Sequence, residues 1–135
     1  MFGTVDHIGI AVEDLDRAVE LYGGRLGLTV SHPETVADQG VQVAMLPVGS
    51  GGARVELLAP TGADSPVARF IARRGPGLHH LAFGVTDIIA ALDEARRAGL
   101  RLIDEEPRRG AGGALIAFVH PGDTMGTLIE LCQHD

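Results

Sequence analysis

The chain repeats itself about half-way along, and this repeat constrains its fold more than any other feature. Val5-Asp6-His7-Ile8-Gly9-Ile10-Ala11-Val12 resembles Leu78-His79-His80-Leu81-Ala82-Phe83-Gly84-Val85, with His7 and His80 73 residues apart. Each segment runs into an acidic residue, Asp14 or Asp87, and then into a helix-period stretch. Each helical stretch is followed by a Gly-Leu pair, Gly27-Leu28 or Gly99-Leu100. Each half closes on a Glu-Leu strand, Arg54-Val55-Glu56-Leu57-Leu58 or Leu128-Ile129-Glu130-Leu131-Cys132, with the two glutamates 74 residues apart. Two unrelated βα units would not be expected to agree at four places in register.

Each half therefore reads as strand, helix and three further strands. The alternation predicts strands near 4–12, 27–35, 40–48 and 53–59 in the first module. In the second it predicts strands near 78–85, 100–104, 113–119 and 126–133. Asp14 and Asp87 are the expected N-caps. Gly23, Gly24 and Gly27 are expected to follow the first helix, and Gly99 to stop the second. Between the modules, Ser65-Pro66 opens a short linker helix over about 65–74, with Ser as N-cap and Pro in the first helical position. The expected fold is α+β: two tandem βαβββ modules, about 4–60 and 78–133, forming a concave mixed sheet around a metal site. Residues 1–135 are expected to form a single domain.

Period-two geometry says which side chains share a face. His7, Gly9 and Ala11 fall on one face of the first strand, opposite Ile8, Ile10 and Val12. His80, Ala82 and Gly84 fall on one face of its counterpart, opposite Leu81, Phe83 and Val85. The bulky faces belong against the helices. The histidine faces carry small residues, and Gly9 and Gly84 are expected to leave room there. Glu56 and Glu130 each interrupt an apolar strand, where an unpaired carboxylate costs roughly 2–7 kcal/mol. A lone strand histidine is ordinarily a packed core residue, and a lone strand glutamate is ordinarily solvated or paired. Recurrence of both at matching positions favours a shared task. Two imidazoles and two carboxylates, His7, Glu56, His80 and Glu130, make a credible set for one divalent ion: Co, Ni, Mn, Zn or Fe.

Composition bounds the partners. Eighteen Asp and Glu against eleven Lys and Arg give a formal net charge of −7. That balance argues against nucleic acid and anionic membranes. A single cysteine, Cys132, excludes an internal disulfide and a multi-cysteine zinc module, and fits a reducing compartment. The start carries no secretory pattern, and no apolar run approaches the roughly 18 residues of a membrane span. A cytoplasmic location is expected.

The remaining histidines carry less. His79 points away from His80 by alternation and reads as structural, while His32 and His134 are expected to be exposed. His120-Pro121-Gly122 reads as a turn, and Cys132 as a small buried hydrophobe. Arg73-Arg74 and Arg96-Arg97 read as solvated faces. Arg108-Arg109, before the Gly110-Ala111-Gly112-Gly113 loop, is the candidate contact for an anionic substrate.

At these residues the chain resembles the vicinal oxygen chelate superfamily of glyoxalases, bleomycin-resistance proteins and dioxygenases. Within it, the resemblance is to the methylmalonyl-CoA epimerase family. The segments that carry it are Asp6-His7-Ile8-Gly9-Ile10-Ala11-Val12, Glu56-Leu57-Leu58-Ala59-Pro60, Asp64-Ser65-Pro66-Val67, Gly77-Leu78-His79-His80-Leu81-Ala82-Phe83, Asp104-Glu105-Glu106-Pro107-Arg108 and His120-Pro121. The histidine and glutamate positions are shared across the superfamily; the Asp-Ser-Pro-Val, Gly-Leu-His-His and Asp-Glu-Glu-Pro segments are more specific. The resemblance implies that His7, His80 and Glu130 are metal ligands and that Glu56 is the fourth, a position held by Gln in some relatives. It implies that Glu130 is one of two catalytic bases. It also implies an acyl-CoA substrate, a place in propionyl-CoA metabolism, and a homodimer.

Two positions depart from that pattern. Some relatives carry their second base as a Glu where this chain has Val43, and valine moves no proton. Many carry Lys after His-Pro where this chain has Gly122. With Glu56 in place of Gln, the second base is expected to have moved to Glu56. The implied reaction interconverts the (R) and (S) forms of methylmalonyl-CoA by proton transfer at C2. The alternatives are a glyoxalase I-type lyase acting on a glutathione hemithioacetal and a non-catalytic small-molecule-binding member of the superfamily. A ring-cleaving dioxygenase, with two His and one Glu around Fe(II), would leave Glu56 a surplus anion.

Overall fold

A computed structural model describes residues 2–135. The chain packs as two compact units. One comprises His7–His79; the other comprises His80–Asp135 with the N-terminal residues through Asp6. The boundaries fall inside strands β1 (Thr4–Ala11) and β5 (Gly77–Gly84).

In the first unit, β1 from His7 onward leads to α1 (Leu15–Val19), β2 (Glu34–Val36), β3 (Val41–Pro47), β4 (Arg54–Pro60) and α2 (Pro66–Arg74). The strand order is β2-β3-β4-β1, with β4 antiparallel to β3 and parallel to β1. The Asp14 carboxylate accepts the Arg17 N–H at 3.2 Å and starts α1. Leu15 and Ala18 then meet Ala44, Leu46, Leu57 and Ala59 in the core. Each leucine buried there contributes on the order of 1.5–3 kcal/mol. Ile10 of β1 and Val12 just after it pack against this cluster. Ser65 caps α2 through the Val67 N–H at 3.2 Å, with Pro66 in the first turn.

The second unit follows the same plan with β5 from His80, α3 (Ile88–Arg97), β6 (Arg108–Arg109), β7 (Leu115–Val119) and β8 (Ile129–Gln133). Its order is β5-β8-β7-β6, with β8 parallel to β5 and antiparallel to β7. Asp87 caps α3 through the Ala90 N–H at 3.1 Å, and Gln133 Oε1 accepts the Ile88 N–H at 2.8 Å. Val85, Ile88, Ala91, Leu92, Ala117 and Leu131 form the core between helix and strands.

Three expected elements differ. The strand expected over 27–35 shrinks to Glu34–Val36. The Ser31 hydroxyl accepts the Met45 N–H at 3.0 Å, in place of a ladder carbonyl, and Pro33 has no N–H to offer. The strand expected over 100–104 is reduced to a single bridge, Leu102 to Val119. There the Asp104 carboxylate takes the Phe118 N–H at 2.9 Å, while the N–H groups of Ile103 and Asp104 both turn to the Phe118 carbonyl. The regular edge partner of β7 is instead β6.

The first helix also runs on beyond expectation, with a π-helical turn over Glu20–Arg25 that contains Gly23 and Gly24. The Leu26 N–H reaches back to the Leu21 carbonyl at 2.8 Å, the five-residue step of that helix type. Glycine is needed at 23 because a Cβ would stand 2.6 Å from Val30 Cγ2.

Candidate active site

Within the first unit, Gly9 of β1 stands opposite Glu56 of β4, and His7 opposite Arg54. Glu56 leans back toward His7, bringing Oε1 to 3.7 Å from the imidazole Nε2. Both side chains are buried. Met45 lies across from Glu56 on β3, and Val43 two residues before it shares that face.

The second unit repeats this arrangement. Ala82 of β5 stands opposite Glu130 of β8, and Glu130 Oε1 lies 3.6 Å from His80 Nε2. Both side chains are again buried. Phe118 of β7 faces Glu130 in register and sets its ring edge-on to His80, centroids 5.6 Å apart. In each unit a small residue, two after the histidine, stands opposite the glutamate.

Both spacings exceed the roughly 2.7–3.2 Å of a hydrogen bond. Both fall within the span of about 4.4 Å that two donors reach across one ion at bonds of about 2.0–2.2 Å. Each pair thus fits a divalent ion on donor chemistry, burial and spacing.

Gly84 does not leave open room as expected. A Cβ there would stand 2.5 Å from Thr4 Oγ1, and the Gly3 N–H bonds the Gly84 carbonyl at 2.8 Å. Its missing side chain admits the start of β1.

The arginine doublet divides. Arg108 pairs across β6–β7 with Ile116, which pairs across β7–β8 with Cys132. Arg108 therefore shares the face of Cys132 and Glu130, and Arg109 takes the opposite one. Asp104 Oδ1 holds Arg108 Nε at 3.1 Å, while Arg109 Nη1 donates to the Gly113 carbonyl at 2.6 Å. Two charged residues that alternation could have placed share the His7–Glu56 face: Arg54, two before Glu56, and Glu34, opposite Val43.

At Gly122 a Cβ would meet Arg101 Nη2 at 2.6 Å. Arg101 is clasped by Asp123, which accepts its backbone N–H at 2.8 Å and its Nε at 3.0 Å. Those hydrogen bonds lower the Asp123 carboxyl pKa and raise that of the guanidinium. His120 acts as a turn residue, its Nδ1 accepting the Gly122 N–H at 2.9 Å. His79 sets an edge against Phe70 at 4.8 Å, the structural contact expected of it. His134 is exposed yet lies 2.7 Å from Asp6, and Cys132 is buried beside Ile116 and Phe118.

The parallel pairing of first and last strand in each module, with a His–Glu couple on each, defines a class of protein. The sequence model of the Glyoxalase/Bleomycin resistance protein/Dioxygenase superfamily matches residues 6–118, and the chain belongs to that superfamily. Its fold is the α+β arrangement of two βαβββ modules. More narrowly, the chain is 39% identical over 135 residues to the ethylmalonyl-CoA/methylmalonyl-CoA epimerase of Cereibacter sphaeroides, a match covering 98% of this chain and 99% of that one. The solved methylmalonyl-CoA epimerase of Mycobacterium tuberculosis has a TM-score of 0.95 to it at 42% identity, covering 99% of this chain and 89% of the other. A Streptomyces coelicolor methylmalonyl-CoA epimerase solved in complex with 2-nitronate-propionyl-CoA has a TM-score of 0.93 at 43% identity, covering 98% and 95%. No helix among the described residues is long and apolar enough to cross a membrane.

Proposed function

We propose that this chain is an isomerase that interconverts the (R) and (S) forms of methylmalonyl-CoA by moving the C2 proton. The repeated His–Glu couple carries the reading: one buried carboxylate per module, 3.7 Å and 3.6 Å from its histidine. Near-full-length identity to epimerases supports that substrate over a glutathione hemithioacetal. The reading takes the two modules as a single working domain over 1–135.

His7, Glu56, His80 and Glu130 are the residues that would hold one divalent ion. When bound, that ion supplies Lewis-acid stabilisation for the negative charge that develops as the C2 proton leaves. Epimerisation needs a proton carrier on each face of C2. Glu130 serves one face, and Glu56 serves the other in place of the residue missing at Val43. Each carboxylate must accept the proton in one direction and donate it in the other. Arg108, on the Glu130 face, is the candidate contact for the anionic acyl-CoA, and Arg109 has its carbonyl partner elsewhere. We further propose a cytoplasmic homodimer.

The test is interconversion of the separate (R) and (S) isomers of methylmalonyl-CoA, with deuterium wash-in at C2 of each, on metal-loaded protein. Glu56→Gln and Glu130→Gln should each slow interconversion by roughly 10²–10⁴-fold, each keeping exchange only on the isomer whose proton faces the remaining carboxylate. Full interconversion by Glu56→Gln would overturn its role as second base. Turnover of a hemithioacetal without exchange on methylmalonyl-CoA would overturn the substrate in favour of the lyase. Sedimentation of the purified protein tests the dimer.

A further inference from the structure

A second group of donor atoms lies in the unit formed by His80–Asp135 and the residues through Asp6, and the reaction above does not use it. Asp6 Oδ1 lies 2.7 Å from His134 Nε2, and Cys132 Sγ lies 3.7 Å from the same nitrogen. A carboxylate oxygen of Asp6 and Cys132 Sγ are within 4.8 Å of each other. Asp6 and Cys132 are buried, while His134 is exposed and opens the group to solvent.

This geometry does not suit a nucleophile relay. A thiol–imidazole–carboxylate relay uses both ring nitrogens, one for the nucleophile and the other for the orienting acid. Here acid and thiol both approach Nε2. A carboxylate, a thiol and an imidazole nitrogen gathered this closely are the donors a cation can use. Bonds of about 2.0–2.3 Å to N, O and S would span these separations. A thiolate and a carboxylate would also neutralise a divalent ion, which removes much of the cost of placing charge among buried side chains.

We propose that Asp6, Cys132 and His134 form a second metal site, for a borderline divalent ion of the zinc or cobalt class. Thiolate and imidazole ligands select against magnesium and calcium. Three protein ligands leave a fourth position for water, on the side that His134 opens. The ion would join the start of β1 to the end of β8 within this unit. His134 separates this site from the one in the epimerase reading, because it is not among the ligands proposed there for the catalytic ion.

Cobalt(II) chloride titrated into metal-free protein under reducing conditions tests it. The expected result is a near-ultraviolet thiolate-to-cobalt charge-transfer band that saturates with one equivalent beyond those bound without the band. Cys132→Ser and His134→Ala should each abolish the band. His134 is exposed, so His134→Ala remains informative even if the buried Cys132→Ser does not fold. No band in the native chain, or a band that survives in His134→Ala, overturns the site.

Discussion

Ala82 of β5 stands directly opposite Glu130 of β8, and it is fully buried. Its small side chain lets Glu130 lean toward His80, two residues back along the strand. A longer side chain there would press the carboxylate off its 3.6 Å approach. Ala82→Leu is therefore expected to cost about 1–3 kcal/mol in folding stability by overpacking. It should also weaken divalent-ion binding by about tenfold or more, while Ala82→Gly leaves binding near the native level. Urea unfolding and isothermal titration of the metal-free protein check the two halves.

Val43 and Glu56 lie on one face of the β3–β4 pair, and this chain carries its carboxylate on β4 alone of the two positions. Exchanging the roles should restore proton transfer. Val43→Glu with Glu56→Gln is expected to recover the interconversion that Glu56→Gln alone lacks, by at least about tenfold. The recovery will be incomplete in stability, because Val43 is buried and stands opposite Glu34. Placing two glutamates directly across a strand pair costs roughly 0.2–1 kcal/mol, beyond the burial of the new carboxylate. Interconversion rates of the native chain and the two variants decide it.

The repeat and the two periodicities made the fold legible before any coordinates. Asp14, Ser65 and Asp87 cap the helices they were expected to cap, because N-capping is a local reaction of a short polar side chain with nearby N–H groups. The His–Glu couples were legible as residues, since alternation sets their faces. What stayed hidden depends on atoms far apart in sequence. Asp104 takes the Phe118 N–H across 14 residues and so ends a strand that composition supports. Thr4 fills the space beside Gly84, and nothing near either residue announces it. The approach of Asp6 to His134, at opposite ends of the chain, is likewise a product of strand order rather than of local pattern.

Arg108 and Arg109 separate one face from the other at adjacent positions. Arg108→Ala should raise KM for the acyl-CoA by about tenfold, equivalent to about 1.4 kcal/mol, with kcat little changed. Arg109→Ala should leave KM within about twofold, since its guanidinium serves the Gly113 carbonyl on the other side of β6. Asp104→Asn removes the charge that holds Arg108 and disturbs the acceptor of the Phe118 N–H, so it is expected to cost stability of about 1–3 kcal/mol as well as affinity. Steady-state kinetics on the three variants, paired with denaturant midpoints, separate the binding effect from the folding effect.

Asp123 and Arg101 tie the turn after β7 to the segment that runs beside it, and they carry a pH signature. The Asp123 carboxyl is held below its ordinary value of 3.8, chiefly by hydrogen bonds from the Arg101 side chain and backbone. A lowered folded-state pKa stabilises the fold above the unfolded value, and that stabilisation is lost as pH falls through the lowered one. The Arg101 guanidinium is shifted upward by the same pairing, so its own contribution persists throughout the acid and neutral range. Arg101 is exposed and Asp123 only half-buried, which makes the effect modest and sensitive to salt. Asp123→Asn should therefore lower the urea midpoint near neutral pH and flatten its fall below pH about 4, with the difference from the native chain shrinking toward pH about 2. Unfolding curves of both proteins across that range, at low and high salt, check the sign: a variant whose deficit grows as the solution becomes more acid would contradict the pairing.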